Sequence, residues 1–277
     1  MKNIIKYYYD IDINNIKNVD DNYIFEDYYF TKYYKKIDIS LYNYMVNSDY
    51  KIDYIIYNKN NEYITLVGNI PYILLKIQSV DKIDLNYIMN YNIEINSLNN
   101  PNWAKLWSIK IDYYEKNINN IKNDKIRKCF NYYIGLCENA ISLFKTLNLE
   151  NEKKYVCHIR LNNDIDFYNP INLVADFKMR DIAEYIKIEC IKNNYRKMLN
   201  FINELVPTLS YNDSLLLLIR LMYPTYFFDC YDKYQKNEQV DCSFTDHISL
   251  YEHFLKNVYK IISNYYKIPI VEWLIKK

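Results

Sequence analysis

A chain of 277 residues, half of them apolar, can bury a full core in one large domain or in two lobes. Positive and negative side chains nearly cancel to a formal net charge of +1, so no global field draws the chain onto nucleic acid or a lipid surface. Its two glycines, Gly68 and Gly135, exclude a GxGxxG dinucleotide fingerprint, a P-loop and a kinase-type glycine-rich loop.

The N-terminal MKNIIKYYYDIDINNIKN has no uninterrupted apolar stretch, and Asp10 and Asp12 enter early. No later segment approaches ~18 uncharged apolar residues, so the expectation is a cytoplasmic protein with no signal peptide and no contact with a membrane. The six cysteines are scattered without a CxxC and the three histidines are far apart, which argues against a sequence-local zinc site. They read instead as small core hydrophobes of a reducing compartment. The glut of Tyr, Asn, Ile and Lys reads as AT-rich codon usage. Lysines and acids are interspersed, so no basic block marks a nucleic-acid partner.

Residues 1–50 mix a strand or two with a helix. Three β-rich runs follow at Ile52–Ile56, Tyr63–Val67 and Tyr72–Ile77, separated by Asn58–Asn61 and Gly68–Pro71, and they predict an antiparallel meander. The inter-lobe crossing is expected near NSLNNPN (96–102). Beyond it the period becomes helical, at Phe130–Phe144, Leu215–Met222 and Phe254–Tyr265. The fold class expected is α+β, with a β-rich N-lobe over 1–98 and a helical C-lobe over 99–277.

This plan matches protein kinases and the aminoglycoside and choline phosphotransferases, which transfer phosphoryl groups by positioning and electrostatics. Lys76, on the third predicted strand, is placed like a strand lysine that meets ATP phosphates; a solvated strand lysine is the plainer reading. His158 stands where the catalytic loop begins. The pattern HxDxxxxN then calls for Asp and Asn where this chain has Arg160 and Ile165. Arginine accepts no proton at neutral pH. Asp164 and Asp166 are nearby carboxylates for a rerouted loop. Asn172 and Asp176 bracket a short buried strand, and either stands where a magnesium ligand belongs, Asp176 as the one carboxylate. Arg180 and Asp181 read as scaffold, with Asp181 as a helix cap and Glu184 at capping-box spacing.

Five segments in register then resemble a narrower group: NWAKLWSIKIDYYEKNI (102–118), FNYYIGLCENAISLF (130–144), CHIRL with VADFKMRDIAEYIK (157–187), LLIRLMYPTYFFDCYDKY (217–234) and YYKIPIVEWL (265–274). They are similar to the YutH type of spore-coat kinase-like proteins of Firmicutes, relatives of the CotS coat proteins. The resemblance covers roughly residues 100–277. It implies a two-lobe, aminoglycoside-phosphotransferase-like fold and a loop of H.R type, so that Arg160 belongs to the family pattern. It also places Trp103, Leu106, Trp107, Asp112 and Glu115 on one helix, with the tryptophans filling an interface. Gly135, Glu138, Asn139 and Ala140 fall on the next, where Glu138 and Asn139 are expected to bond a neighbouring loop. The function implied is a sporulation-associated pseudokinase that binds or scaffolds other spore-coat proteins. The alternative is a phosphotransferase on a small hydroxyl compound or protein, using ATP and Mg2+.

Overall fold

The computed structural model describes residues 1–19, 22–79, 81–96, 102–161, 167–238 and 243–275. The chain divides into two compact units, Met1–Tyr91 with Val156–Ala175, and Asn92–Tyr155 with Asp176–Lys277.

The first unit opens with helix α1 (Lys2–Tyr9) and the strands β1 (Lys17–Val19), β2 (Asn22–Phe25) and β3 (Tyr28–Lys32). Helix α2 (Ile39–Asn47), capped by the Asp38 carboxylate on the Leu41 N–H, leads to β4 (Tyr54–Ile56), β5 (Thr65–Val67), β6 (Ile70–Lys76) and α3 (Leu85–Asn90). The three β-rich runs of the sequence are thus strands, though the first two are shorter at their N-terminal ends. The turn between β4 and β5 is held by Asn58, whose Oδ1 accepts from the Asn60 and Glu62 N–H groups. Gly68 takes φ 62° in the β5–β6 hairpin, a conformation that glycine adopts without a Cβ penalty.

The strands form one antiparallel sheet in the order β1-β2-β3-β6-β4, with β5 also on β6. Side chains alternate across it. Tyr29, Ile55, Ile73 and Leu75 share one face with Ile37 and Ile171, while Phe25, Phe30, Tyr72 and Leu74 pack under Ile5 of α1 on the other.

A second sheet runs β7 (Glu94–Ile95), β8 (Lys154–His158), β9 (Leu173–Asp176), and the boundary between the units falls within β8 and β9. The second unit is otherwise helical: α4 (Trp103–Lys116), α5 (Asp124–Phe144), α6 (Met179–Ile191), α7 (Tyr195–Leu205), α8 (Tyr211–Met222), α9 (Thr225–Gln235), α10 (Ile248–Ser263) and α11 (Glu272–Ile275). Asn102, Asn123 and Ser210 cap α4, α5 and α8 through their side-chain oxygens. Helix α8 is the hub, in contact with α5, α6 and α10, and is buried on every side from Ser214 to Met222. Cys129, Cys137, Cys157, Cys190 and Cys230 are buried free thiols. No described helix is long and apolar enough to cross a membrane.

Candidate functional site

In the first unit, His158 closes β8 and is fully buried. Its ring stacks on Phe167 with centroids 3.9 Å apart, and Tyr91 lies 5.6 Å away, an enclosure suited to a packed scaffold residue. Arg160 follows, half-buried, with Nη1 donating to the Ile159 carbonyl at 2.7 Å. Asn172 clamps this loop from the start of β9. Its Oδ1 accepts from the Arg160 N–H at 3.0 Å, its Nδ2 donates to the Arg160 carbonyl at 2.7 Å, and its own carbonyl accepts from the Ile159 N–H. The amide expected as a neutral metal ligand is therefore committed to backbone. Asp164 and Asp166 lie outside the described residues.

Lys76 ends β6 and pairs with Tyr28 and Tyr54 in register. Its parity is that of Tyr72 and Leu74, so it belongs to the α1 face of the sheet, opposite the face on which Ile171 of the loop segment packs. A further buried carboxyl was not legible in sequence. Asp53 accepts from the Tyr29 hydroxyl at 2.8 Å and the Gln78 N–H at 3.0 Å. Burial outweighs both bonds and pushes its pKa up to about 6.

In the second unit, Asp176 ends β9 with its side chain wholly enclosed. Oδ1 accepts from Trp103 Nε1 at 2.9 Å and from the Phe177 N–H at 2.8 Å; Oδ2 accepts from Arg180 Nη1 at 2.7 Å and from Arg220 Nη2. Four donors use the roughly four acceptor positions that a carboxylate offers. The guanidinium carbons of Arg180 and Arg220 lie 5.1 and 4.7 Å from the Trp103 ring centre, and that of Arg220 lies 5.2 Å from Trp107. Trp107 in turn stacks on Tyr223 at 4.4 Å. Burial works to raise the Asp176 pKa, but the charges of Arg220 and Arg180 and their hydrogen bonds hold it below the ordinary carboxylate value.

Two local expectations are corrected. Helix α6 starts at Met179 with Lys178 at the N-cap, so Asp181 is the third helical residue, buried in the first turn where the helix dipole favours a carboxylate. Glu184 forms no capping box. It bonds Lys187 Nζ at 2.6 Å and Thr225 Oγ1 at 3.0 Å in a second buried polar cluster, because the helix places it inward, three residues before Lys187. Asn139 bonds the Gly135 carbonyl of its own helix, and Glu138 is exposed.

Arg220 and the Glu184–Lys187–Thr225 cluster were missed as site residues. The signal was present, since a charge inside LLLLIRLM has no solvated face to occupy and requires a buried partner. Chemically, this arrangement holds a carboxylate ionised and rigid, without leaving it a lone pair for a cation. Among the described residues, no three His, Cys, Asp or Glu side chains form a group that could hold a metal ion. Asp176 is thus fully committed, and among the described residues no other carboxylates gather into a site for the magnesium that a phosphotransferase fold implies; Asp164 and Asp166 lie outside them.

The family model of the spore coat putative kinase YutH matches residues 3–265. The endospore coat-associated protein YutH of Bacillus subtilis (strain 168) is 26% identical over 209 residues, 62% of this chain and 61% of that protein. The match thus spans about three fifths of the relative's length. An aminoglycoside phosphotransferase from Alicyclobacillus acidocaldarius is similar in structure, with a TM-score of 0.54 and 11% identity over 95% of this chain and 94% of that one. A spectinomycin phosphotransferase follows, with a TM-score of 0.50 and 12% identity over 94% of this chain and 97% of the other. These two establish the α+β, aminoglycoside-phosphotransferase-like fold, and the chain belongs to the YutH spore coat family.

Proposed function

We propose that this chain is a kinase-like protein of the spore coat whose phosphotransferase fold works as a binding or scaffolding module, without phosphoryl transfer. The observation that carries this reading is Asp176. The carboxylate where a magnesium ligand belongs is spent on Trp103, Arg180, Arg220 and the Phe177 N–H. Arg160 supports it from the loop, because a guanidinium replaces the proton acceptor two residues after His158. Coat proteins as partners, and the coat as location, are drawn from the Bacillus subtilis relative, an endospore coat-associated protein.

The second reading is an ATP- and Mg2+-dependent phosphotransferase acting on a small hydroxyl compound or protein. The fold favours it, and the spectinomycin phosphotransferase of similar structure was solved in complex with ADP and spectinomycin.

Calorimetry with ATP, with and without Mg2+, together with a γ-phosphate release and transfer assay on the wild-type chain, separates the two. The expected result is no magnesium-dependent turnover, and nucleotide binding that is weak and indifferent to Mg2+. Robust magnesium-dependent transfer would sink the scaffold reading. Nucleotide binding lost in Lys76→Met would return that lysine to the phosphates.

A further inference from the structure

The inward positions of α4 are Ala104, Trp107, Ile111 and Tyr114, all buried. Its outward face is not uniformly polar, as a fully solvated helix face would be, but carries an apolar stripe beside charged residues. Leu106, Ile109 and Tyr113, at helical spacing, are 50%, 57% and 56% exposed. Along one flank of this stripe lie Lys105, Asp112 and Lys116, all exposed. Among the described residues, neither Lys105 nor Asp112 has a side-chain ion pair, whereas Lys110 on the opposite flank is paired with Asp232 at 3.1 Å.

We propose that this face of α4 binds a second copy of the chain, helix to antiparallel helix, about a two-fold axis between Ser108 and Ile109. In an isologous pair the same flank meets itself, so position i lies level with the residue equally far beyond the axis. Lys105 and Asp112 stand about 10.5 Å apart along the helix at ~1.5 Å per residue, symmetrically about that axis. Each Lys105 then faces Asp112 of the other copy, giving two equivalent ion pairs. The same register sets the two Ile109 side chains beside the axis and drops each Leu106 between Ile109 and Tyr113 of the other copy. Charge and apolar pattern therefore select one register. Three half-exposed side chains per copy are far less than the ~800 Å² per partner of a permanent interface, so the dimer is weak and concentration-dependent.

Sedimentation equilibrium at low salt, from about 5 to about 500 μM, tests the proposal in a range suited to a small interface. The average mass of the wild-type chain should rise toward that of a dimer. Lys105→Glu and Asp112→Lys should each weaken association about tenfold or more, by setting like charges across the axis. The double reversal should restore it to within about threefold, and Ile109→Asp should abolish it. All these positions are exposed, so the melting temperatures should stay at the wild-type value. A chain that remains monomeric throughout, association indifferent to Ile109→Asp, or a double reversal that fails to rescue would each overturn the proposal. None of these results depends on whether the fold transfers phosphate.

Discussion

Arg220 of α8 donates to Oδ2 of Asp176 at the end of β9, across 44 residues of sequence, with both side chains almost wholly buried. Buried ion pairs are costly to assemble and costlier to break, because removing one partner strands the other's charge. Arg220→Met should therefore lower the unfolding free energy by about 3–5 kcal/mol. Trp103→Phe keeps the ring under the guanidiniums but removes one donor, and should cost about 1–2 kcal/mol. Urea midpoints give both values. Equal losses in the two variants would show that the indole N–H bond supports the cage as much as the ion pair does.

The same carboxylate makes stability acid-sensitive. Its folded pKa is lowered, so its contribution is present above the unfolded value of ~3.9 and is lost as pH falls through the folded one. Wild type should lose stability steeply below about pH 4, and Asp176→Asn, already without that contribution, should show a shallower acid limb in thermal melts.

Asp53 acts in the opposite sense. Its folded pKa is raised from 3.8 to about 6, so the folded state holds a proton that the unfolded chain releases, and stability falls as pH rises between those values. The loss is up to about 3 kcal/mol, because each tenfold change in a proton affinity is worth about 1.4 kcal/mol. Asparagine can keep the Gln78 bond and donate to the Tyr29 hydroxyl. Asp53→Asn should therefore be flat between pH 4 and 6 and at least as stable as wild type at pH 7.5. A variant that retains the wild-type slope would assign that slope to another group.

Asn172 holds both polar groups of the Arg160 backbone, so Asn172→Ala should free the segment after β8. We expect a stability loss of about 2–3 kcal/mol from the backbone groups left unpaired. Amide exchange should speed up at Ile159 and Arg160 more than in β6. Uniform acceleration across the first unit would mean that Asn172 supports the sheet rather than the loop.

In the second polar cluster, Lys187→Met leaves the Glu184 carboxylate buried without its cation, at about 3–5 kcal/mol. Adding Glu184→Leu should recover much of that loss, because both charges are then gone. A double-mutant cycle in guanidinium chloride measures the coupling, and additive losses would show that the pair does not act as one unit.

Local chemistry was legible wherever it acts within a few residues. The β-branched runs punctuated by Asn58–Asn61 and Gly68 became β4, β5 and β6, and the apolar stripes became α5, α8 and α10. Helix starts were less legible, as at α6, where Lys178 and not Asp181 precedes the first turn. A cap residue is also a good first-turn residue when its charge meets the dipole, so composition does not separate the two. The motifs that carried the family resemblance are short and ordered along the chain, which is why the fold was readable in one dimension.

The loop from Cys157 to Arg160 declared its missing aspartate without any tertiary information, and that departure from the kinase pattern was a property of sequence alone. What Asp176 does instead was decided only in three dimensions. Its carboxylate is held by Trp103, 73 residues earlier, and by Arg220, 44 residues later. No periodicity encodes such a meeting. Burial supplies it, because an enclosed charge must be met by whatever donors the packed helices bring to it.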